Sequence, residues 1–274
     1  MDAVTRDLQS PVPWSLLYAD DVMLASEDRK ELELLVQSWS DRLAQFGLRL
    51  SVSKTEYLTT QVYNPGTVKI DGTELSRTNA FKYLGSTIAC DSSLCSEVNN
   101  RVSSAWLKWR AAAGVLCDRE MPERLKSKIY RTVVRPVALY GAEWWPATKE
   151  VERRLSVMKM KMLRWMAGVT RLDHITNADI RERFGVVPIA EKLRESRLRW
   201  YGHVLWASDD TVCKIGLALD VPGTRPRGRP KQRWLDTIQA DLKTVRLHPD
   251  QAYDRSLWRQ KIGRADPASK RERR

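Results

Sequence analysis

Residues 16–24 read Leu16-Leu17-Tyr18-Ala19-Asp20-Asp21-Val22-Met23-Leu24, two apolar runs closing on a pair of adjacent carboxylates. Two neighbouring aspartates cannot both project into an apolar strand face without a large desolvation cost. A β-hairpin over residues 14–26 resolves the conflict by burying the arms on both faces and leaving the acidic pair at the turn. There the carboxylates can meet a divalent cation, and Mg²⁺ takes such oxygens while keeping substrate phosphates among its ligands. The pair by itself does not carry this reading, because turns favour Asp anyway and a solvated turn is its rival.

The sequence on either side supplies context. Asp28 and Glu31 have the spacing of a capping box. Leu32, Leu35, Val36, Trp39, Leu43 and Phe46 then recur at helical spacing, and Gly47 stands where a helix ends. Leu48, Leu50 and Val52 alternate with Arg49, Ser51 and Ser53, which predicts a half-buried strand. In VKIDGTEL (68–75) the Asp71-Gly72 pair predicts a two-residue hairpin. Phe81-Lys82-Tyr83-Leu84-Gly85 opens another short strand, so the chain to about Ile88 reads as strands with one helix packed on them.

Beyond Asp91–Glu97 the pattern turns helical. Val98, Val102, Ala105, Trp106, Trp109, Ala112, Ala113 and Leu116 form one stripe. A second helix is expected from Pro122, kinked or ended at Pro136. The third carries Val151, Leu155, Met158, Met162, Trp165 and Met166, with Lys159, Lys161 and Arg164 on its opposite face. Thr176, Asp179 and Gly185 delimit a fourth, and a fifth opens at Pro188. The segment PGTRPRGRPKQRW (222–234) holds five positive charges, three prolines and two glycines, and reads as a loop. Two short helices follow, one with Trp234, Ile238 and Leu242, the other from near Pro249 with Tyr253, Leu257 and Ile262.

Charge is unevenly placed. Residues 1–96 hold 9 Lys/Arg against 13 Asp/Glu, whereas residues 97–274 hold 38 against 21. An acidic first third carrying a basic remainder is the footprint of a polyanion partner, with a merely solubilising surface as its rival. No run of about 18 apolar residues predicts a membrane span. MDAVTRDLQSPVPW (1–14) lacks a signal-peptide pattern. Cys90, Cys95, Cys117 and Cys213 show no CxxC pairing, and His174, His203 and His248 are too isolated to complete a zinc site. Trp106, Trp109, Trp144, Trp145, Trp165, Trp200 and Trp234 lie mostly on apolar stripes, so core packing is the first expectation and base stacking the second. Trp144 and Trp145 cannot both face one core.

Taken in order, these segments resemble the reverse transcriptases of non-LTR (LINE-type) retrotransposons. YADD at Tyr18–Asp21 is similar to motif C of the polymerase palm. GLRLSVSKT, ending at Lys54 and Thr55, resembles motif D, and FKYLG at Phe81–Gly85 resembles motif E, the primer grip. LYGAEWW (139–145), RLRWYGHVLW (197–206) and RPRGRPKQRWLD (225–236) resemble the thumb and C-terminal region. The resemblance implies an α+β chain: a partial palm over 1–90, a helical thumb-like region over 91–170, and a basic helical region over 171–274.

It also implies roles. Asp20 is the principal ligand of Mg²⁺ (or Mn²⁺) and Asp21 its weaker neighbour. Tyr18 and Ala19 lie near the primer terminus and incoming nucleotide, and Leu84 and Gly85 shape the primer grip. Lys54 lies near the triphosphate, as a general acid toward pyrophosphate, with a solvated strand-end lysine as its rival. Arg225, Arg227, Arg229, Lys231 and Arg233 are candidate phosphate contacts, a flexible solvated loop being the alternative. The implied partners are an RNA template and a DNA primer or duplex, in the nucleus, with the Lys270–Arg274 tail compatible with import.

The family has a further metal-binding aspartate in motif A, upstream of YADD, and fingers that hold the template. Only 19 residues precede Asp20 here. The expectation is therefore a polypeptide that does not polymerise alone, with weak or no metal binding, and that depends on a polymerase segment from a longer chain. A non-catalytic, sequence-tolerant nucleic-acid binder or a decayed retroelement remnant is the alternative.

Overall fold

The computed structural model describes residues 2–12, 14–60, 66–219, 228 and 232–267. It divides into two compact units, Met1–Glu97 with Ser208–Asp220, and Val98–Ala207 with Val221–Arg274. The chain is α+β: short two-stranded ladders lie in the first unit, and the second is helical. Among the described residues no helix is long and apolar enough to cross a membrane, and the four cysteines are free.

The first unit opens with a short helix α1 (Asp2–Thr5) and the hairpin β1 (Ser15–Tyr18) and β2 (Asp21–Leu24), in the register Ser15↔Leu24 to Tyr18↔Asp21. Helix α2 (Arg29–Gln45) follows. The Asp28 carboxylate caps it by accepting from the Lys30 and Glu31 amides, at 2.7 and 3.0 Å. The Glu31 half of the expected capping box is redirected, since its carboxylate accepts from the Ser26 hydroxyl at 2.6 Å. Gly47 ends the helix at φ +71°, a conformation glycine adopts without steric penalty. Val36, Trp39 and Leu43 face inward, whereas Phe46 is exposed.

The strand expected at 48–53 does not form. Residues 48–51 are irregular and Val52–Lys54 make a 3₁₀ turn before β3 (Glu56–Tyr57), so the alternating residues find no partner ladder. Leu50 and Val52 nonetheless pack on the core of Val36, Tyr57, Val68, Ile70 and Leu75, together with Leu24 and Leu32. Strands β4 (Lys69–Ile70) and β5 (Thr73–Glu74) close on Asp71-Gly72, both at positive φ as a type I′ turn requires. Gln37 of α2 fixes that turn by donating to Asp71 Oδ1 at 2.6 Å and accepting from the Asp71 amide at 3.0 Å. β6 (Ser76–Arg77) pairs in parallel with β3, and β7 (Ala80–Tyr83) with β8 (Ser86–Ala89) makes the last hairpin.

The helical unit contains most of α3 (Cys95–Ala111), then α4 (Ala113–Leu116) and α5 (Glu123–Ile129). Helix α5 passes through a π turn, Tyr130–Val134, into α6 (Arg135–Ala138). Pro136 does not end the helix, which continues to Ala138. The π turn just before it spares the i–4 carbonyl that a proline ring would strike. α7 (Lys149–Ala167) is capped by Thr148 and ended by Gly168 at φ +66°. Its lysines divide contrary to expectation. Lys161 is exposed, but Lys159 is buried, its ammonium donating to the Val187 carbonyl. Trp165, expected inside, is exposed.

Helix α8 (Asn177–Phe184) has the expected Thr176–Asp179 capping box and Gly185 terminator. Helices α9 (Ile189–Trp206), α11 (Trp234–Val245) and α12 (Arg255–Ile262) enclose a core of Leu198, Tyr201, Ile238, Leu242, Leu247, Ala252, Trp258 and Ile262. The segment from Pro249 is a 3₁₀ turn to Tyr253, with Tyr253 exposed and Trp258 buried. A further short helix, α10 (Val212–Ala218), groups with the first unit.

Candidate functional site

The acidic pair sits at a hairpin tip. Tyr18 and Asp21 are directly opposed, so the pleat puts both on one face with Leu16 and Met23, and Ser15, Leu17, Val22 and Leu24 on the other. Ala19 and Asp20 form the two-residue turn, and both aspartates are exposed. Ala19 adopts φ +54°, a region that non-glycine residues enter only when their surroundings hold them there. The arms are less enclosed than their apolar sequence suggested. Leu16, Leu17, Val22, Met23 and Leu24 are half-buried and Ser15 is buried, its hydroxyl accepting from the Ser10 amide at 3.0 Å. The described residues give this hairpin two strands, one face of which reaches the core through Leu24.

The second hairpin lies within electrostatic reach of the first. Partial burial, and then the negative charge of Asp21, hold the Tyr83 hydroxyl above the ordinary tyrosine range. Tyr83 was not singled out from the sequence, although FKYLG contains it. Aromatic position before a turn was the available signal. Leu84 and Gly85 form that turn at φ +49° and +82°, again the type I′ pattern. A bulky side chain at Leu84 is an outlier there, and it is 38% exposed.

Lys54 is exposed at the end of its 3₁₀ turn, not at a strand end. Among the described residues no ion pair joins it to Asp20 or Asp21. Of the basic cluster, Arg225, Arg227, Arg229 and Lys231 lie outside the described residues, as does the Lys270–Arg274 tail. Arg233 is described and exposed at the start of α11, its amide donating to the Asp236 carboxylate at 2.8 Å.

The donor set at the tip suits a hard cation. Two adjacent carboxylates, open to water and to substrate phosphates, are how proteins commonly hold Mg²⁺. Among the described residues no three His, Cys, Asp or Glu side chains gather into a group able to hold a metal ion. The tip therefore offers two protein carboxylates and leaves the other positions to water, phosphate or another segment.

Residues 1–88 match the family model of reverse transcriptase (RNA-dependent DNA polymerase). A transposon-derived protein of Caenorhabditis elegans is 23% identical over 240 residues, covering 84% of this chain and 85% of that protein. The RNA-directed DNA polymerase from mobile element jockey of Drosophila funebris is 24% identical over 256 residues, covering 88% of this chain. The match spans only 26% of that polymerase. No solved structure matches. The chain is thus similar to reverse transcriptases over residues 1–88, which include the YADD hairpin, and to these two mobile-element proteins over most of its length.

Proposed function

We propose that the chain carries the metal-binding hairpin of an RNA-directed DNA polymerase, in which Asp20 and Asp21 hold a divalent cation for nucleotidyl transfer. The observation that supports this is the exposed Asp20-Asp21 tip, with Tyr18 opposed to Asp21 and Tyr83 within reach of its charge. Bound Mg²⁺ would neutralise charge on a triphosphate and favour ionisation of a primer 3′-hydroxyl. Asp20 and Asp21 supply the anionic oxygens. Tyr18 offers an aromatic face beside them on which a nucleotide can rest, and the Leu84-Gly85 turn presents backbone for close approach of a primer. Lys54 brings a positive charge suited to phosphate or pyrophosphate.

Two carboxylates are short of a two-metal clamp, which is bridged by a further one. As the 274-residue polypeptide, the chain is expected to incorporate no nucleotide on an RNA template, and to do so when a polymerase segment supplying that carboxylate is added. Primer extension with Mg²⁺ or Mn²⁺ tests both parts. Incorporation by the polypeptide alone that Asp20→Ala abolishes would overturn the incompleteness, and complemented activity indifferent to Asp20→Ala would overturn the site.

The charge distribution favours a second reading. The 38 Lys/Arg against 21 Asp/Glu in residues 97–274 support sequence-tolerant, salt-sensitive binding of nucleic acid that does not need the aspartates.

A further inference from the structure

The helical unit contains an aromatic cleft of about 590 Å³, lined by Glu143, Arg199, Trp200, His203, Trp206 and Arg259 among others. Its volume falls in the range of small-molecule sites, roughly 300–1,000 Å³. The walls are ring systems held in place. Trp200 and His203 are one turn apart on α9, with ring centroids 4.9 Å apart. Trp206 is fixed by its indole N–H, which donates to the Ala252 carbonyl at 2.6 Å, and the Arg255 guanidinium lies 4.8 Å over its ring. Trp144, at 48% exposure, packs on Trp200 with centroids 4.5 Å apart, extending the aromatic surface out of the cleft.

An indole left half in water on a fixed neighbour is a platform as much as a filler of core. The polar groups at this cleft are of two kinds. Arg199, whose side chain is 69% exposed and pairs with Glu195 at 2.5 Å, and Arg259 are cations suited to phosphate. The Glu143 carboxylate is an acceptor suited to the amino or imino edge of a base. Rings, guanidinium groups and one carboxylate match a nucleotide better than an apolar peptide, which would leave Arg259 and Glu143 unanswered.

We propose that this cleft is a stacking site for an unpaired nucleobase of a single strand, with the base against Trp144, Trp200 and His203 and its flanking phosphates on Arg199 and Arg259. The site lies within the helical unit and asks nothing of the chemistry of Asp20 and Asp21. It rests on the reading that the partner is nucleic acid, and it adds that the grip recognises bases as well as backbone.

The test is fluorescence anisotropy with labelled oligouridine, oligothymidine, an abasic strand of equal length, and a duplex, using the full chain and its Trp144→Ala and Trp144→Phe variants. Trp144→Ala is expected to weaken binding of the RNA or DNA single strand about tenfold. The abasic strand and the duplex should be unaffected, which also reports an intact fold, and Trp144→Phe should retain most of the affinity. Equal binding of oligouridine and oligothymidine by the wild type and Trp144→Ala would overturn the proposal. So would an equal loss on the abasic strand, which would mean contact with backbone alone. Failure of the wild type to bind any strand or duplex would overturn the nucleic-acid reading as well, a result distinguishable from loss of base dependence.

Discussion

A Cβ on Gly202 would stand 2.6 Å from Nε1 of Trp258. The glycine in RLRWYGHVLW is thus a docking surface: the indole lies fully buried against α9 and donates to the Leu198 carbonyl at 3.1 Å. Glycine inside a helix ordinarily costs about 1 kcal/mol relative to alanine. Here the substitution should nonetheless destabilise, because the displaced ring is buried and anchored. Gly202→Ala is expected to lose about 1–3 kcal/mol by urea unfolding. A gain in stability would show that the indole gives way freely.

Arg197 and Asp241 form a buried ion pair, with Nε and Nη2 donating to the two carboxylate oxygens at 2.6 and 3.1 Å and the arginine side chain 1% exposed. Removing one partner leaves a desolvated charge behind. Asp241→Ala is therefore expected to cost about 3–5 kcal/mol. A loss under about 1 kcal/mol would mean that Glu152, 3.8 Å from the guanidinium, or water compensates.

Lys159 makes stability depend on pH. Burial first, then the positive charges of Arg181 and Arg135, push its pKa down to about 7 from the ordinary 10.5. Below about pH 7 the lysine is protonated whether folded or unfolded, and its burial penalty is complete. Between there and the ordinary lysine value, the unfolded chain keeps a proton that the folded chain has released, so stability rises with pH. The slope from this group is at most about 1.4 kcal/mol per pH unit. Lys159→Met should flatten that rise and stabilise the protein most on the acidic side, measured by urea unfolding from about pH 6 to 9. Parallel profiles for wild type and variant would refute it.

The basic cluster from Arg225 to Arg233 predicts a salt signature. Single strands release about 0.7 counterions per phosphate contact, so losing five contacts should flatten the plot of log affinity against log salt by about 3 to 4. The variant replaces Arg225, Arg227, Arg229, Lys231 and Arg233 with alanine. An unchanged slope would assign the grip elsewhere.

Local signals in the sequence located the hairpins and helix ends well. Asp71-Gly72, Gly47, Gly185 and the Thr176–Asp179 box act through backbone conformation or bonds to neighbours a few residues away, and each was legible from spacing. What spacing could not show depends on partners distant in sequence. Lys159 is buried because the Val187 carbonyl waits for it, and Trp165 is exposed although it continues an apolar stripe. The Trp144–Trp145 pair divided as its geometry required, with Trp145 buried and Trp144 open, but which of the two faced out was not readable. Nor was the packing of Trp144 on Trp200, 56 residues later. At the candidate site, the turn at Asp20 followed from the sequence, whereas the strained Ala19 backbone and the nearness of Tyr83 needed the fold.

We propose that the Asp20-Asp21 tip holds a divalent cation, weakly while no further carboxylate joins it. This central claim is tested most directly by titrating Mn²⁺ into isotopically labelled protein and reading which backbone amide signals broaden. The amides of Ala19 to Val22 should broaden first, and Asp20→Asn should remove the effect. Broadening that spares the tip, or that persists unchanged in Asp20→Asn, would contradict the account.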